Sequence, residues 1–144
     1  MITIEIEDEE ALRDPVAALS DLFARPESAG GDLMARRKYL RLTDWIEDGD
    51  RGEARELFEE FVRDFDRVVG RIAGAWGPPD FRGEYDEPGY PEGLWWSPYL
   101  AYWVRGERVG YVVCDQQDNE LPLELYLGTL PTAELRPRQG PLIL

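Results

Sequence analysis

The chain contains no histidine and only one cysteine, Cys114. Without histidine the chain cannot supply Ser-His-Asp or Cys-His catalysis, His-ligated zinc or haem, or a histidine pH switch. A single cysteine excludes an intrachain disulfide and a thiolate metal cluster. Its neighbours Val112 and Val113 indicate a strand in which the thiol is a small buried hydrophobe. We therefore expect no cofactor, no metal site and no enzymatic activity.

Positive charge is also scarce. Lysine and arginine together number 16, with Lys38 the only lysine, against 30 aspartates and glutamates, so the net charge is -14. Nucleic-acid backbones and anionic lipids are bound by concentrated lysine and arginine. The composition therefore predicts neither direct nucleic-acid binding nor membrane docking, and it favours a basic protein partner.

Long apolar runs are missing as well. No segment approaches the roughly 18 apolar residues of a membrane span, and the first ten residues lack the basic start of a secretory signal. We therefore expect a cytoplasmic protein. The 144 residues are 43% hydrophobic, enough for one core. The expected organisation is one domain over residues 1–130 and an extended, proline-containing C-terminal arm over 131–144.

Helical spacing predicts three helices. Asp14 and Pro15 start the first as N-cap and first-turn proline. Asp32 starts the second, whose apolar face is Leu33, Leu40, Trp45 and Ile46. The third begins with a capping box at Asp50 and Glu53 and carries one long apolar stripe, which comprises Ala54, Leu57, Phe58, Phe61, Val62, Phe65, Val68, Val69 and Ile72.

Period-two alternation predicts the strands. Isoleucines at positions 2, 4 and 6 indicate an N-terminal strand. Segments 99–104 and 109–114 form a hairpin around Gly106, and a second turn at 118–120 leads to a leucine-alternating strand over 121–127. The sequence therefore predicts an α+β fold in which three helices pack on an antiparallel meander of three or four strands.

Residues 80–93 form a long acidic segment without periodicity, which is uncommon unless it is functional or disordered. A solvated, mobile loop is one interpretation. The other is an interface, because aromatic side chains anchor partners while clustered carboxylates steer a basic one. On this second interpretation the partner-binding residues are Asp80, Phe81, Glu84, Tyr85, Asp86, Glu87, Tyr90 and Trp96.

An aromatic cluster follows the acidic segment at Trp95, Trp96, Tyr99, Tyr102 and Trp103. Strand-borne aromatics in a small α+β domain are usually core packing under helices, and that is the favoured interpretation. A protein hot spot and a glycan platform are the alternatives, since at least one of the adjacent rings Trp95 and Trp96 is expected to face outward.

The order of these features resembles a known family. The residues that carry the resemblance are Trp76-Gly77-Pro78-Pro79, Leu94-Trp95-Trp96 and Asp118-Asn119-Glu120-Leu121-Pro122-Leu123. Over roughly residues 50–130 the chain is similar to small acidic immunity proteins of bacterial, especially actinobacterial, polymorphic toxin systems. The resemblance implies a cytoplasmic inhibitor that covers the active site of a toxin domain. It carries no fixed functional residues with it.

Three functional hypotheses follow from the sequence. The first is a non-enzymatic inhibitor of immunity type that occludes a basic toxin or effector domain. The second is a DNA-mimic or regulatory protein that binds a nucleic-acid-binding host factor. The third is a small carboxylate-based enzyme or carbohydrate-binding domain, which needs two facing carboxylates or an exposed tryptophan platform.

Overall fold

A computed structural model gives the fold of the chain and describes residues 1–25, 36–93, 95, 97–116, 120 and 122–140. Its helices are α1 (Glu9–Arg13), α2 (Pro15–Ala24) and α3 (Arg51–Trp76). Its strands are β1 (Ile4–Glu7), β2 (Arg37–Thr43), β3 (Phe81–Gly83), β4 (Tyr99–Arg105), β5 (Arg108–Asp115) and β6 (Glu124–Pro131). Short 3-10 turns occupy Asp48–Asp50 and Thr132–Glu134.

The strands form one antiparallel sheet in the order β1-β2-β6-β5-β4-β3. The α+β class is confirmed, and so is the β4-β5 hairpin, whose turn contains Gly106 at φ +63°. The predicted three or four strands are too few. The missing ones include β2, which joins the N-terminal strand to β6, and the three-residue β3 at the opposite edge.

The predicted second helix is wrong where the structure describes it, because Arg37–Thr43 is strand β2. Its register against β6 shifts between Tyr39 and Arg41. The extra residue places Leu40 and Arg41 on the same face of the sheet. Leu40 packs in the core between the sheet and the helices, and Arg41 pairs with Asp64 on α3. Residues 26–35, which include Asp32 and Leu33, lie outside the described residues.

Helix α2 begins as predicted, because Asp14 accepts a hydrogen bond from the backbone amide of Ala17 and Pro15 follows it. Helix α3 is confirmed, and its stripe is buried or half-buried along its length. The capping box is wrong. The Asp50 carboxylate accepts instead from the amine of Met1, and Glu53 accepts from the backbone amide of Ile2.

The sheet is covered on both faces. Helices α2 and α3 pack on one, over Val112, Cys114, Leu125 and other buried residues. On the second face, Tyr111, Tyr126 and their neighbours lie under Tyr90, Trp95 and Leu135, which come from the chain segments flanking β4 and following β6. Cys114 is buried as expected, and burial raises the pKa of its thiol, so the sulfur stays protonated. No helix in the described ranges has the length and apolarity to cross a membrane.

Candidate functional site

After β3 the acidic segment forms a turn. We call this turn the acidic tip and define it as residues Glu84 to Glu87. All four of its side chains, Glu84, Tyr85, Asp86 and Glu87, are exposed, and Tyr85 keeps 38% of its surface accessible. The Glu87 carboxylate turns back to accept a hydrogen bond from the backbone amide of Glu84 at 3.2 Å. This hydrogen bond connects the two ends of the tip.

The C-terminal segment holds the acidic tip in place. Backbone hydrogen bonds link Gly89 to Arg138 in one direction and Arg138 to Tyr90 in the other, at 2.8 and 3.0 Å. The Arg138 guanidinium donates to the backbone oxygens of Tyr85 and Glu87. A tip braced in this way loses little conformational entropy when a partner binds.

Tyr90 supports the acidic tip from inside the protein. It is fully buried, donates its hydroxyl hydrogen to the backbone oxygen of Ser97, and accepts from the Ser97 amide. Burial raises the pKa of Tyr90 to about 12. Tyr90 thus lies in the interior, whereas the sequence had suggested it among the residues that anchor a partner. Its burial follows from its position over the second face of the sheet.

The remaining predicted partner-binding residues are divided between surface and interior. Asp80 is exposed, but its carboxylate accepts a hydrogen bond from the backbone amide of Val104 at 2.7 Å. Phe81 is half-buried and stacks on Tyr102 with 5.5 Å between the ring centroids. Trp96 lies outside the described residues. The structure thus brings Glu84, Tyr85, Asp86 and Glu87 together at the surface and uses Asp80, Phe81 and Tyr90 as supports.

The predicted aromatic cluster is largely core. Trp95 and Trp103 are 4% and 2% exposed, Tyr102 is buried, and Tyr99 is half-buried against Phe58 and Phe65. The favoured interpretation of core packing is confirmed for these four rings. None of them offers the exposed face that a glycan platform requires.

The acidic tip also holds three carboxylates that, among the described residues, lie close enough together to hold a metal ion. One carboxylate oxygen from each of Glu84, Asp86 and Glu87 lies within 4.8 Å of the other two. All three side chains are exposed, and the same spacing suits a guanidinium or ammonium group of a partner.

A polar cluster on the second face was not anticipated from the sequence. The Arg37 guanidinium lies 4.0 Å from the centre of the Tyr126 ring and donates to the Tyr39 hydroxyl at 3.3 Å. Asp115 and Glu124 are directly opposite each other on β5 and β6. Burial, and then the Asp115 charge, raises the pKa of Glu124. The sequence did not indicate this cluster, because the segment that forms β2 was predicted to be a helix.

Replacing Glu124 with glutamine should stabilise the protein at neutral pH. A carboxyl group whose pKa is raised by folding favours the native state while protonated and opposes it once ionised. The free energy of unfolding of the variant should exceed that of the wild type by up to about 1 kcal/mol at pH 7, a small gain because Glu124 is only part-buried. The gain should vanish as the pH falls below the ordinary value of 4.5. Urea unfolding across pH 3.5–7.5 measures it.

The exposed α3 residue Glu59 provides the control. Its replacement by glutamine, on the solvent-exposed side of the helix, should change the free energy of unfolding by no more than about 0.5 kcal/mol. A Glu124→Gln gain that persists unchanged at pH 3.5 would contradict the assignment to ionisation of this carboxylate.

Comparison with protein families, curated proteins and solved structures finds no match to this chain.

Proposed function

We propose that this protein is a non-enzymatic, cytoplasmic inhibitor of immunity type that binds a basic toxin or effector domain through its acidic tip. The observation that carries the proposal is the braced tip itself, in which one oxygen from each of three carboxylates lies within 4.8 Å of the other two and Tyr85, their neighbour in sequence, is exposed. Tyrosine is enriched among the hot spots of protein interfaces, and clustered carboxylates steer a basic partner toward it.

The charges of the tip suit a positively charged cleft. Three neighbouring carboxylates can pair with lysine and arginine side chains that otherwise hold a phosphate, so the tip competes with the partner's substrate. The net charge of -14 adds long-range attraction and raises the association rate. Inhibition in this scheme is steric and electrostatic and needs no catalytic residue.

Bracing accounts for selectivity as well as affinity. Arg138 and Tyr90 fix the backbone around the tip, and the Glu84 amide holds the Glu87 carboxylate, so the tip favours partners whose cations match its shape. A mobile acidic loop would attract basic proteins in general. The proposal therefore predicts one stoichiometric partner that remains bound at high salt.

The test uses charge reversal with a matched control. Glu84→Lys with Asp86→Lys changes the tip, while Glu56→Lys with Glu60→Lys gives the same change in net charge on the exposed side of α3. Lysate of the source organism is passed over the immobilised wild type, which is washed first at low and then at high salt. The proteins retained after each wash are identified by mass spectrometry, and their affinities for each variant are measured by calorimetry. The tip variant should lose at least about 100-fold in affinity, whereas the α3 variant should lose less than about 5-fold.

Each other outcome has a definite meaning. Equal losses for the two variants would show that only net charge matters, which removes the tip as an interface. Many DNA-binding proteins that dissociate at high salt would instead support a DNA-mimic function. A wild type that retains no protein at either salt concentration would overturn the proposal.

A further inference from the structure

Trp45 is the most exposed of the tryptophans that the structure describes. Its side chain keeps 64% of its surface accessible, whereas Trp95 and Trp103 are buried and Trp76 is half-buried. A large indole left in water forgoes the stabilisation that its burial would supply. The sequence pattern had assigned this residue to the apolar face of a helix, and the structure places it in the turn after β2.

The backbone on both sides of Trp45 is anchored. The Asp44 amide donates to the Thr3 oxygen at 2.9 Å, and the Asp44 carboxylate accepts from the Trp45 amide at 2.8 Å. On the other side, Ile46 is buried and its amide donates to the Glu120 oxygen at 3.1 Å. The ring is therefore displayed from a fixed position.

The surroundings of Trp45 are strongly acidic. Residues 44–53 contain five carboxylates and one basic side chain, Arg51, which pairs with Asp48 at 3.0 Å. Asp44, Glu47 and Asp48, which flank Trp45 in sequence, are all exposed. An exposed tryptophan whose neighbours in sequence carry exposed carboxylates is complementary to a cation that lies on the indole face, and arginine is the side chain that most often does so.

We propose that Trp45, with Asp44, Glu47 and Asp48, is a second docking surface, which receives an arginine of a basic protein partner on the indole face. The inference rests on the proposed function for the basic character of the partner, but it concerns a different part of the molecule. Trp45 follows β2 near one edge of the sheet, and the acidic tip follows β3 at the other. Four strand spacings separate β2 from β3, or about 19 Å.

The test follows the five tryptophan indole N–H signals by NMR. The signal that disappears in Trp45→Phe is assigned to Trp45. The probe is the peptide acetyl-Gly-Arg-Gly-Arg-Gly-amide, compared with its lysine counterpart. The Trp45 signal should shift saturably with the arginine peptide, at least about 3-fold more weakly with the lysine peptide, and the signals of the buried Trp95 and Trp103 should not move.

Glu47→Gln should weaken the shift of the Trp45 signal at least about 2-fold, while Glu59→Gln on α3 should leave it unchanged. A Trp45 signal that stays fixed while the backbone amides of Glu84 to Glu87 shift would overturn the second docking surface and leave the proposed function intact. A Trp45 shift would support the docking surface whether or not the tip signals move. If the Trp45 signal does not move with either peptide, the second docking surface is contradicted, and the proposed function is still decided by its own charge-reversal test.

Discussion

Gly128→Ala should destabilise the protein by about 3 kcal/mol, because the new methyl group has no space. A Cβ atom on Gly128 would lie 2.6 Å from Cζ of Tyr111 and 2.8 Å from the backbone oxygen of Arg36, and it would be closer still to the Tyr111 hydroxyl. Gly128 pairs with Tyr111 across β6 and β5 and with Arg37 across β6 and β2. The added atom is therefore confined between both neighbouring strands.

Tyr111 cannot move aside easily. It is fully buried, with its ring centroid 4.7 Å from that of Trp95 and 6.2 Å from that of Tyr126. A displaced Tyr111 would disturb both rings and the cover of the second face. Because small domains have only about 5–15 kcal/mol of stability, a cost near 3 kcal/mol should lower the midpoint of urea unfolding clearly.

The matched control for Gly128→Ala is Gly70→Ala in α3. Gly70 is exposed inside the helix, and a Cβ there would meet no atom within 4 Å. Alanine should therefore stabilise the helix by about 0.5–1 kcal/mol, the opposite sign. A Gly128→Ala variant as stable as the wild type would show that Tyr111 does not lie over Gly128 as described.

Local sequence patterns predicted the elements that carry a simple signal, such as one apolar face or a turn glycine. Helix α3 shows a single apolar stripe because only one of its faces meets the sheet, and the β4-β5 hairpin is marked by its turn glycine. Strand β2 was not predictable in the same way. Its arginines are packed inside the protein, with the guanidinium of Arg37 over the Tyr126 ring and that of Arg41 over the Phe61 ring. A charged residue in this strand is therefore not a sign of an exposed position.

The candidate site was predicted in part for a related reason. Composition located the acidic segment, and the structure shows Glu84 to Glu87 exposed in its middle. The burial of Tyr90 depends on the C-terminal segment returning through Arg138, a contact between residues far apart in sequence. Trp45 was obscured because its neighbour Ile46 is buried, and spacing alone assigned both residues to one apolar face.

Asp64→Ala should cost about 3 kcal/mol, because it removes the main partner of a buried arginine. Arg41 is 9% exposed, and its Nη1 lies 2.9 Å from Oδ2 of Asp64 on α3. Without Asp64, the nearest remaining carboxylate is that of Glu7, which is half-exposed and 3.6 Å from Nε of Arg41. The Phe61 ring, 4.4 Å from the guanidinium carbon, offsets only part of the lost interaction.

Two further variants separate a buried charge from a surface ion pair. Asp66 on the same helix pairs with Arg82, but both side chains are about half exposed, so Asp66→Ala should cost no more than about 0.5 kcal/mol. Combining Arg41→Met with Asp64→Leu removes both buried charges and should restore most of the stability lost in Asp64→Ala. Urea unfolding of the four proteins measures these differences. Equal losses in the free energy of unfolding for Asp64→Ala and Asp66→Ala would show that Arg41 is hydrated in solution. The register shift in β2 would then not place the Arg41 side chain on the face of the sheet that packs against the helices.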